Sequence, residues 1–316
     1  MNSDMNLDND DIPVGKILSR REMIRLLGAS SLSSLIVACA PISPTDGTTS
    51  VTTTEPMPAP TEASVAADAA ENLAPINCVA QPELTEGPYF VDVNMDRFDL
   101  RMTNDNVVKA GFPMLFTVQI SDVTDGTCKP LPGAIFDLWN CDAIGEYSAV
   151  LDENGNFDTR DESWLRGTRV SDENGNLQML TIIPSWYSTR AIHSHFKIRT
   201  QGTDGNAYEF TSQLFFKADQ MEPILATQAY IPNGMPPTSN EIDDFYLSLP
   251  EPEQLTLDLA EMSGDELAQL KTLAVDTAFD QAVKATFSIG LDLSNVDVGA
   301  SDAWDLRGGG DGRRRP

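Results

Sequence analysis

Histidine is nearly missing from this chain, with two residues in 316. Basic charge is scarce too: 21 Lys and Arg stand against 48 Asp and Glu, a formal net charge of −27. A surface so acidic repels nucleic acid, and nucleic-acid binding is excluded on that ground. The apolar run from Ile24 to Val37 falls short of the roughly 20 residues that a membrane-spanning helix requires. There is no Cys-x-x-Cys and no His-Glu-x-x-His, which argues against the common zinc sites.

What is present begins with "SRREMIRLLGASSLSSLIVACA". Paired arginines, Arg20 and Arg21, precede the apolar run, an arrangement resembling the twin-arginine export signal. Ile36-Val37-Ala38-Cys39 resembles a bacterial lipobox, in which the cysteine becomes the lipidated first residue. Residues 1–39 are therefore expected to be an export signal with Cys39 as the lipidation site. The chain would then be a lipoprotein outside the bacterial cytoplasm, touching membrane only through its anchor. Residues 40–77 are rich in Pro, Thr, Ser and Ala. They cannot bury enough apolar surface to offset ordering entropy and are expected to form a flexible tether. Residues 78–300 have the length of one sizeable domain, and 301–316 form a short tail whose arginines, Arg313–Arg315, receive no role.

With Cys39 lipidated, Cys78, Cys128 and Cys141 remain, which predicts one disulfide and one leftover thiol. A Cys128–Cys141 pair conflicts with a strand over 131–140. Ten strand residues extend roughly 33 Å, while bridged Cα atoms lie about 6 Å apart. Cys78 with one of the other two is the expected bridge.

Segments 114–123, 134–142, 177–183, 193–200 and 208–216 alternate apolar and polar residues, and Gly- and Asn-rich turns separate them. Period two indicates half-buried strands. The predicted fold is mainly β, an antiparallel β-sandwich core with peripheral loops. "SGDELAQLKTLAVDTAF" predicts one late helix, with Ser263 as N-cap and Glu266 completing a capping box.

Both histidines lie in "RAIHSHFKI", as His193 and His195. In a strand, residues i and i+2 share a face, so the two imidazoles would point together at a spacing that suits one metal ion. The plainer reading is a pair of packed or solvated histidines. Further ligands must come from elsewhere. A carboxylate would complete a ferrous set. Phenolate is a hard anionic ligand that favours a cation such as Fe(III), and two of only six tyrosines sit in unusual segments. Tyr147 ends "WNCDAIGEY" and Tyr187 lies in "IIPSWYSTR". Spacing alone leaves these as ligands or as ordinary strand-end tyrosines.

The order of "TEGPYF", "PLPGAIFDLWNCDAIGEYS", "WLRGTRVSDENGN", "TIIPSWYSTRAIHSHFKI" and "TSQLFF" resembles the intradiol ring-cleavage dioxygenases over about residues 81–216. The resemblance implies a β-sandwich holding mononuclear non-haem Fe(III) through Tyr147, Tyr187, His193 and His195. It places the family arginine at Arg190 and a substrate-side glutamine at Gln213. The link from Tyr187 to His193 is short beside the catechol and protocatechuate enzymes, Ser194 replaces a usually apolar residue, and Ser185 replaces a glycine.

What the resemblance implies is cleavage of a small aromatic diol between its hydroxylated carbons, with O₂ as co-substrate. Tyr187 would accept a substrate proton and Arg190 would stabilise developing negative charge. Two other readings stay open: a non-catalytic sandwich lipoprotein that binds aromatic or cell-envelope ligands, and a ferrous or copper oxygenase built on the same histidines. The identity of the diol and the oligomeric state are not specified by the sequence.

Overall fold

A computed structural model describes residues 80–294, apart from Pro82 and residues 153–156. The expected export signal 1–39 with Cys39, the tether 40–77 and the tail 301–316 lie outside the described residues.

Among the described residues, ten strands follow one another: β1 (Pro113–Asp122), β2 (Lys129–Pro130), β3 (Ile135–Trp139), β4 (Arg166–Val170), β5 (Asn176–Ile182), β6 (His193–Gln201), β7 (Ala207–Phe216), β8 (Thr256–Leu257), β9 (Ala260–Glu261) and β10 (Val283–Leu291). Three α-helices among the described residues fall late: α1 (Ala218–Leu225), α2 (Asp244–Ser248) and α3 (Gly264–Leu273). One sheet runs β2-β1-β10-β9, with β5 also paired to β1, and the other runs β4-β3-β6-β7-β8. Most pairs are antiparallel, as expected. However, β1 pairs parallel with β10 and β7 parallel with β8, so both sheets are mixed. The long connections through α1, α2 and α3 permit this, since parallel neighbours cannot be joined by a tight hairpin.

The inner faces meet in an aromatic and aliphatic core. Phe116 of β1 lies 6.1 Å from Phe136 of β3, and Phe196 of β6 lies 5.4 Å from Phe287 of β10, centroid to centroid. Phe196 and Ile198 are fully buried in this core. Alternation along β6 therefore turns His193, His195, Lys197 and Arg199 to the opposite face.

That outer face is covered by the segment 83–97. Leu84 N–H donates to the Thr211 carbonyl at 3.0 Å. Glu86 pairs with Lys197 at 2.8 Å, Asp92 with Arg199 at 3.1 Å and Asp96 with Arg169 at 3.1 Å. These ion pairs act beside isolated backbone hydrogen bonds, such as Thr168 N–H to the Met95 carbonyl at 2.7 Å, and beside the packing of Phe90 on Trp139 at 5.0 Å.

The capping box on α3 forms as predicted, with Ser263 and Glu266 bonding reciprocally. The helix stops at Leu273 rather than continuing to Phe279. Val275 N–H and the Asp276 carbonyl are captured by the Asp99–Arg101 ion pair, which draws the chain out of the helical path. Cys128 is disulfide-bonded and Cys141 is a free, buried thiol. The Cys128–Cys141 bridge is thus excluded, and the partner of Cys128 lies outside the described residues. Among the described residues, no helix is long and apolar enough to cross a membrane.

Candidate metal centre

The strand register that buries Phe196 also sets the two histidines side by side. Their Nε2 atoms are 3.1 Å apart, and each residue is 1 % exposed. His193 Nδ1 lies 2.7 Å from the Ala191 carbonyl. A carbonyl only accepts, so Nδ1 carries the proton and Nε2 presents its lone pair. Burial, reinforced by Arg190, holds His193 well below the ordinary imidazole range, and burial with His193, Arg190 and Arg166 does the same for His195. Both rings are neutral and suited to ligation.

Across the sheet, His195 is flanked in register by Trp139 of β3 and Gln213 of β7. The Trp139 indole stacks on the imidazole at 5.2 Å and 8°. From the strap, Gly87 approaches so closely that a Cβ there would stand 3.0 Å from His195 Cε1. The ring is therefore gripped from the sheet and from the roof.

Two loops bring up the tyrosines. After β3, Asp142 shapes "CDAIGEY" by accepting from Ile144 N–H at 2.9 Å and Glu146 N–H at 3.0 Å, and it pairs with Lys109 at 2.7 Å. After β5, Asn233 holds the other loop, donating to Ser185 Oγ and to the Trp186 carbonyl, both at 2.7 Å. The loops are stitched together by Ser185 N–H to the Asp142 carbonyl at 3.1 Å and Cys141 Sγ to the Ser185 carbonyl at 3.2 Å. Gly145, at φ +88°, passes so near the Trp186 carbonyl that a Cβ would lie 2.5 Å from it. The serine found where a glycine is usual thus has a hydrogen-bonding task.

These loops place the Tyr187 hydroxyl 3.2 Å from His193 Nε2. Tyr147 lies with its ring 5.1 Å from that of Tyr187 and 6.3 Å from that of His195. Its hydroxyl is buried without a hydrogen-bond partner. Burial pushes this phenol well above its usual range, and neighbouring Tyr187 and Cys141 add to the effect while Arg166 opposes it. A phenol so situated is costly to ionise in isolation. A cation bound beside it reverses that balance, because coordination stabilises the phenolate directly.

Among the described residues, no group of three or more His, Cys, Asp or Glu side chains could hold a metal. The two-histidine, one-carboxylate set is therefore not formed there. Two neutral imidazoles and two phenols, one of them an orphaned buried hydroxyl, remain as a donor set that suits a hard trivalent cation such as Fe(III).

Arg190 and Gln213 also meet. Arg190 Nη2 donates to Gln213 Oε1 at 2.7 Å, and Gln213 Nε2 donates to the Thr85 carbonyl at 3.2 Å. The structure thus brings Tyr147, Tyr187, His193, His195, Arg190 and Gln213 to one end of the second sheet. Trp139, Asp243 and Arg166 were not singled out by the sequence reading. Trp139 could have been found from its pairing opposite His195. Asp243 carried only the faint signal of an acidic N-cap before Phe245. Tyr89, in the strap, stacks on Tyr147 at 4.7 Å and meets Tyr187 edge-on at 5.7 Å.

Residues 85–233 match the family model described as Dioxygenase. Over 65 residues the chain is 38 % identical to a catechol 1,2-dioxygenase of Candida albicans, which covers 21 % of this chain and 20 % of that protein. The chain thus aligns with about a fifth of the length of that curated relative. In three dimensions it is similar to an intradiol ring-cleavage dioxygenase from Tetranychus urticae, at 23 % identity and a TM-score of 0.54, covering 70 % of this chain and 98 % of that one. A second dioxygenase crystal structure gives 23 % identity and a TM-score of 0.52, covering 69 % of this chain and 96 % of that one. Residues 85–233 thus match the Dioxygenase family model, and the domain shares the fold of an intradiol ring-cleavage dioxygenase.

Proposed function

We propose that the domain is a ferric, non-haem dioxygenase that opens a small aromatic diol between its two hydroxylated carbons. The ring C–C bond breaks and both atoms of O₂ enter the product, giving a dicarboxylic acid. The observation that carries this reading is the meeting of His193 Nε2 with His195 Nε2 at 3.1 Å and with the Tyr187 hydroxyl at 3.2 Å, beside the unpartnered hydroxyl of Tyr147.

His193, His195, Tyr147 and Tyr187 would hold the ion. Fe(III) bound there supplies Lewis acidity and a template for the two diol oxygens. The remaining chemistry belongs to the chain. Tyr187 is half-buried where Tyr147 is sealed, and its phenolic oxygen is the group placed to take one diol proton. Arg190, cationic and 7 % exposed, offsets negative charge that develops on the diol in a site of low dielectric. Gln213 fixes the direction of that guanidinium. The strap closes the imidazole side, with Gly87 against His195, and keeps water from the histidines.

The same reading takes the protein to be exported and tethered to membrane through lipid on Cys39. The acidic composition and the polar stretch 40–77 support that placement. Oxygen uptake on a panel of catechols, run beside iron content per chain and product mass, tests the catalytic reading. One iron per domain and a product heavier than the diol by two oxygen atoms are expected. Iron-replete protein with no uptake on any diol would leave only a binding role.

A further inference from the structure

We propose that Asp243 is a positioning residue that fixes Arg190 for the diol. This rests on the ferric reading above, and it adds a residue that neither the motif pattern nor the metal set contains.

Asp243 lies 53 residues beyond Arg190 in sequence, at the N-cap of α2. Its side chain is 1 % exposed. It accepts from Arg190 Nε at 2.9 Å and from Arg190 Nη2 at 3.3 Å. The same carboxylate accepts from Ala191 N–H at 2.8 Å, Phe245 N–H at 3.0 Å and Tyr246 N–H at 3.1 Å. One buried carboxylate therefore ties α2 to the chain just ahead of the two histidines. Phe245, two residues on, lays its ring against the guanidinium with 4.0 Å between Cζ and the ring centroid. Together with Gln213 on Nη2, these contacts restrain the fork in its plane and on its face.

A buried ion pair is an expensive way to hold a helix in place. Desolvating both charges offsets most of their attraction, and apolar residues of similar volume commonly serve stability as well or better. What the pair provides is a cation of fixed direction. Arg190 sits three residues before His193, and its field reaches both imidazoles. Without Asp243 the side chain would have long, rotatable freedom, and its charge would oppose a bound trivalent ion without compensation. With Asp243 the net charge of the pair is zero near the site, while the guanidinium keeps a fixed direction toward negative charge that develops on the diol. Preorganised charge of this kind acts without reorganisation when the substrate's charge develops.

The test uses Asp243→Asn, because Asn still caps α2 while the negative charge is lost. In metal-free protein, the Arg190 Nε–H NMR signal, assigned by its loss in Arg190→Lys, is expected to exchange slowly in wild type and rapidly in Asp243→Asn. An unchanged exchange rate overturns the positioning role whatever the metal does. In iron-loaded protein, Asp243→Asn should retain iron and colour, but weaken anaerobic catechol binding and lower kcat/KM by about tenfold or more. Introduced into Arg190→Ala, the same change should cost nothing further, since Asp243 acts through Arg190. Additive losses in that double variant would overturn the proposal and leave Asp243 as a cap only. A wild-type protein with no catechol-induced spectral shift would instead defeat the ferric reading, and the exchange measurement would still decide whether Asp243 holds Arg190.

Discussion

The Nε2 atoms of His193 and His195 stand 3.1 Å apart, closer than two neutral imidazoles need for packing, and they are the whole histidine supply of the chain. No third imidazole exists to substitute for either. His193→Ala or His195→Ala should therefore lower iron affinity by about a hundredfold or more, beyond the 10–100-fold that even outer partners of a ligand command. Iron per chain after dialysis against a weak chelator measures this. Variants that keep full iron would move the site away from the strand.

Gly87 should resist substitution for two reasons that add. Its φ of +73° is one an L-residue adopts at a cost of about 1 kcal/mol, and a Cβ would meet His195 Cε1 at 3.0 Å. Gly87→Ala should lower thermal stability by a few degrees and displace the His195 ring, reducing iron occupancy several-fold. Circular dichroism melts beside metal analysis separate the effects. A variant that loses stability with normal iron binding would show strain alone.

The strand carrying the two histidines was readable because apolar Phe196 and Ile198 alternate with polar residues along it, and period two records that alternation although both faces are buried. β6 was placed at 193–200 and spans 193–201, so the orientation of both histidines followed from the sequence. β10 was not foreseen although "VKATFSIGL" lies at the centre of a sheet. Its partner β1 is parallel and distant in sequence, and no hairpin turn announces such pairing. The phenolic half of the site needed the motif resemblance, since loop geometry made by Asp142, Gly145 and Asn233 carries no period. The contact of Asp243 with Arg190 was not legible for a related reason: it spans 53 residues, and the local N-cap pattern does not encode it.

Glu83 gives the domain a pH-dependent stability. Burial raises its carboxyl from 4.5 to about 7, against the pull of the Thr211 N–H and Lys197. The folded state therefore retains a proton that the unfolded chain releases near 4.5, and stability falls as pH rises from about 4.5 to 7. Glu83→Gln cannot ionise and should remove this slope. Its stability relative to wild type should grow between pH 5 and pH 7.5, as denaturant midpoints at the two values would register. A constant difference would show that Glu83 is solvated and titrates normally.

Tyr147 offers a prediction in which stability and metal binding move in opposite directions. Its hydroxyl is buried without a hydrogen-bond partner, and an unsatisfied buried donor costs about 1–3 kcal/mol. Deleting that hydroxyl leaves the aromatic packing against Tyr89 and Tyr187 in place. Metal-free Tyr147→Phe should accordingly be at least as stable as wild type, by up to about 1 kcal/mol. The iron-loaded variant should bind ferric ion more weakly and lose part of the red-brown charge-transfer colour that a bound phenolate produces. Tyr187→Phe should differ. Its hydroxyl already contacts His193 Nε2 at 3.2 Å, so its removal brings no gain in metal-free stability, and turnover should fall more than iron content because the proton acceptor is gone. Denaturation of the metal-free proteins, followed by visible spectra of the loaded ones, checks each half separately. If Tyr147→Phe destabilises the metal-free fold while leaving the ferric spectrum unchanged, Tyr147 is a packing residue and the phenolate set must be redrawn around Tyr187 alone.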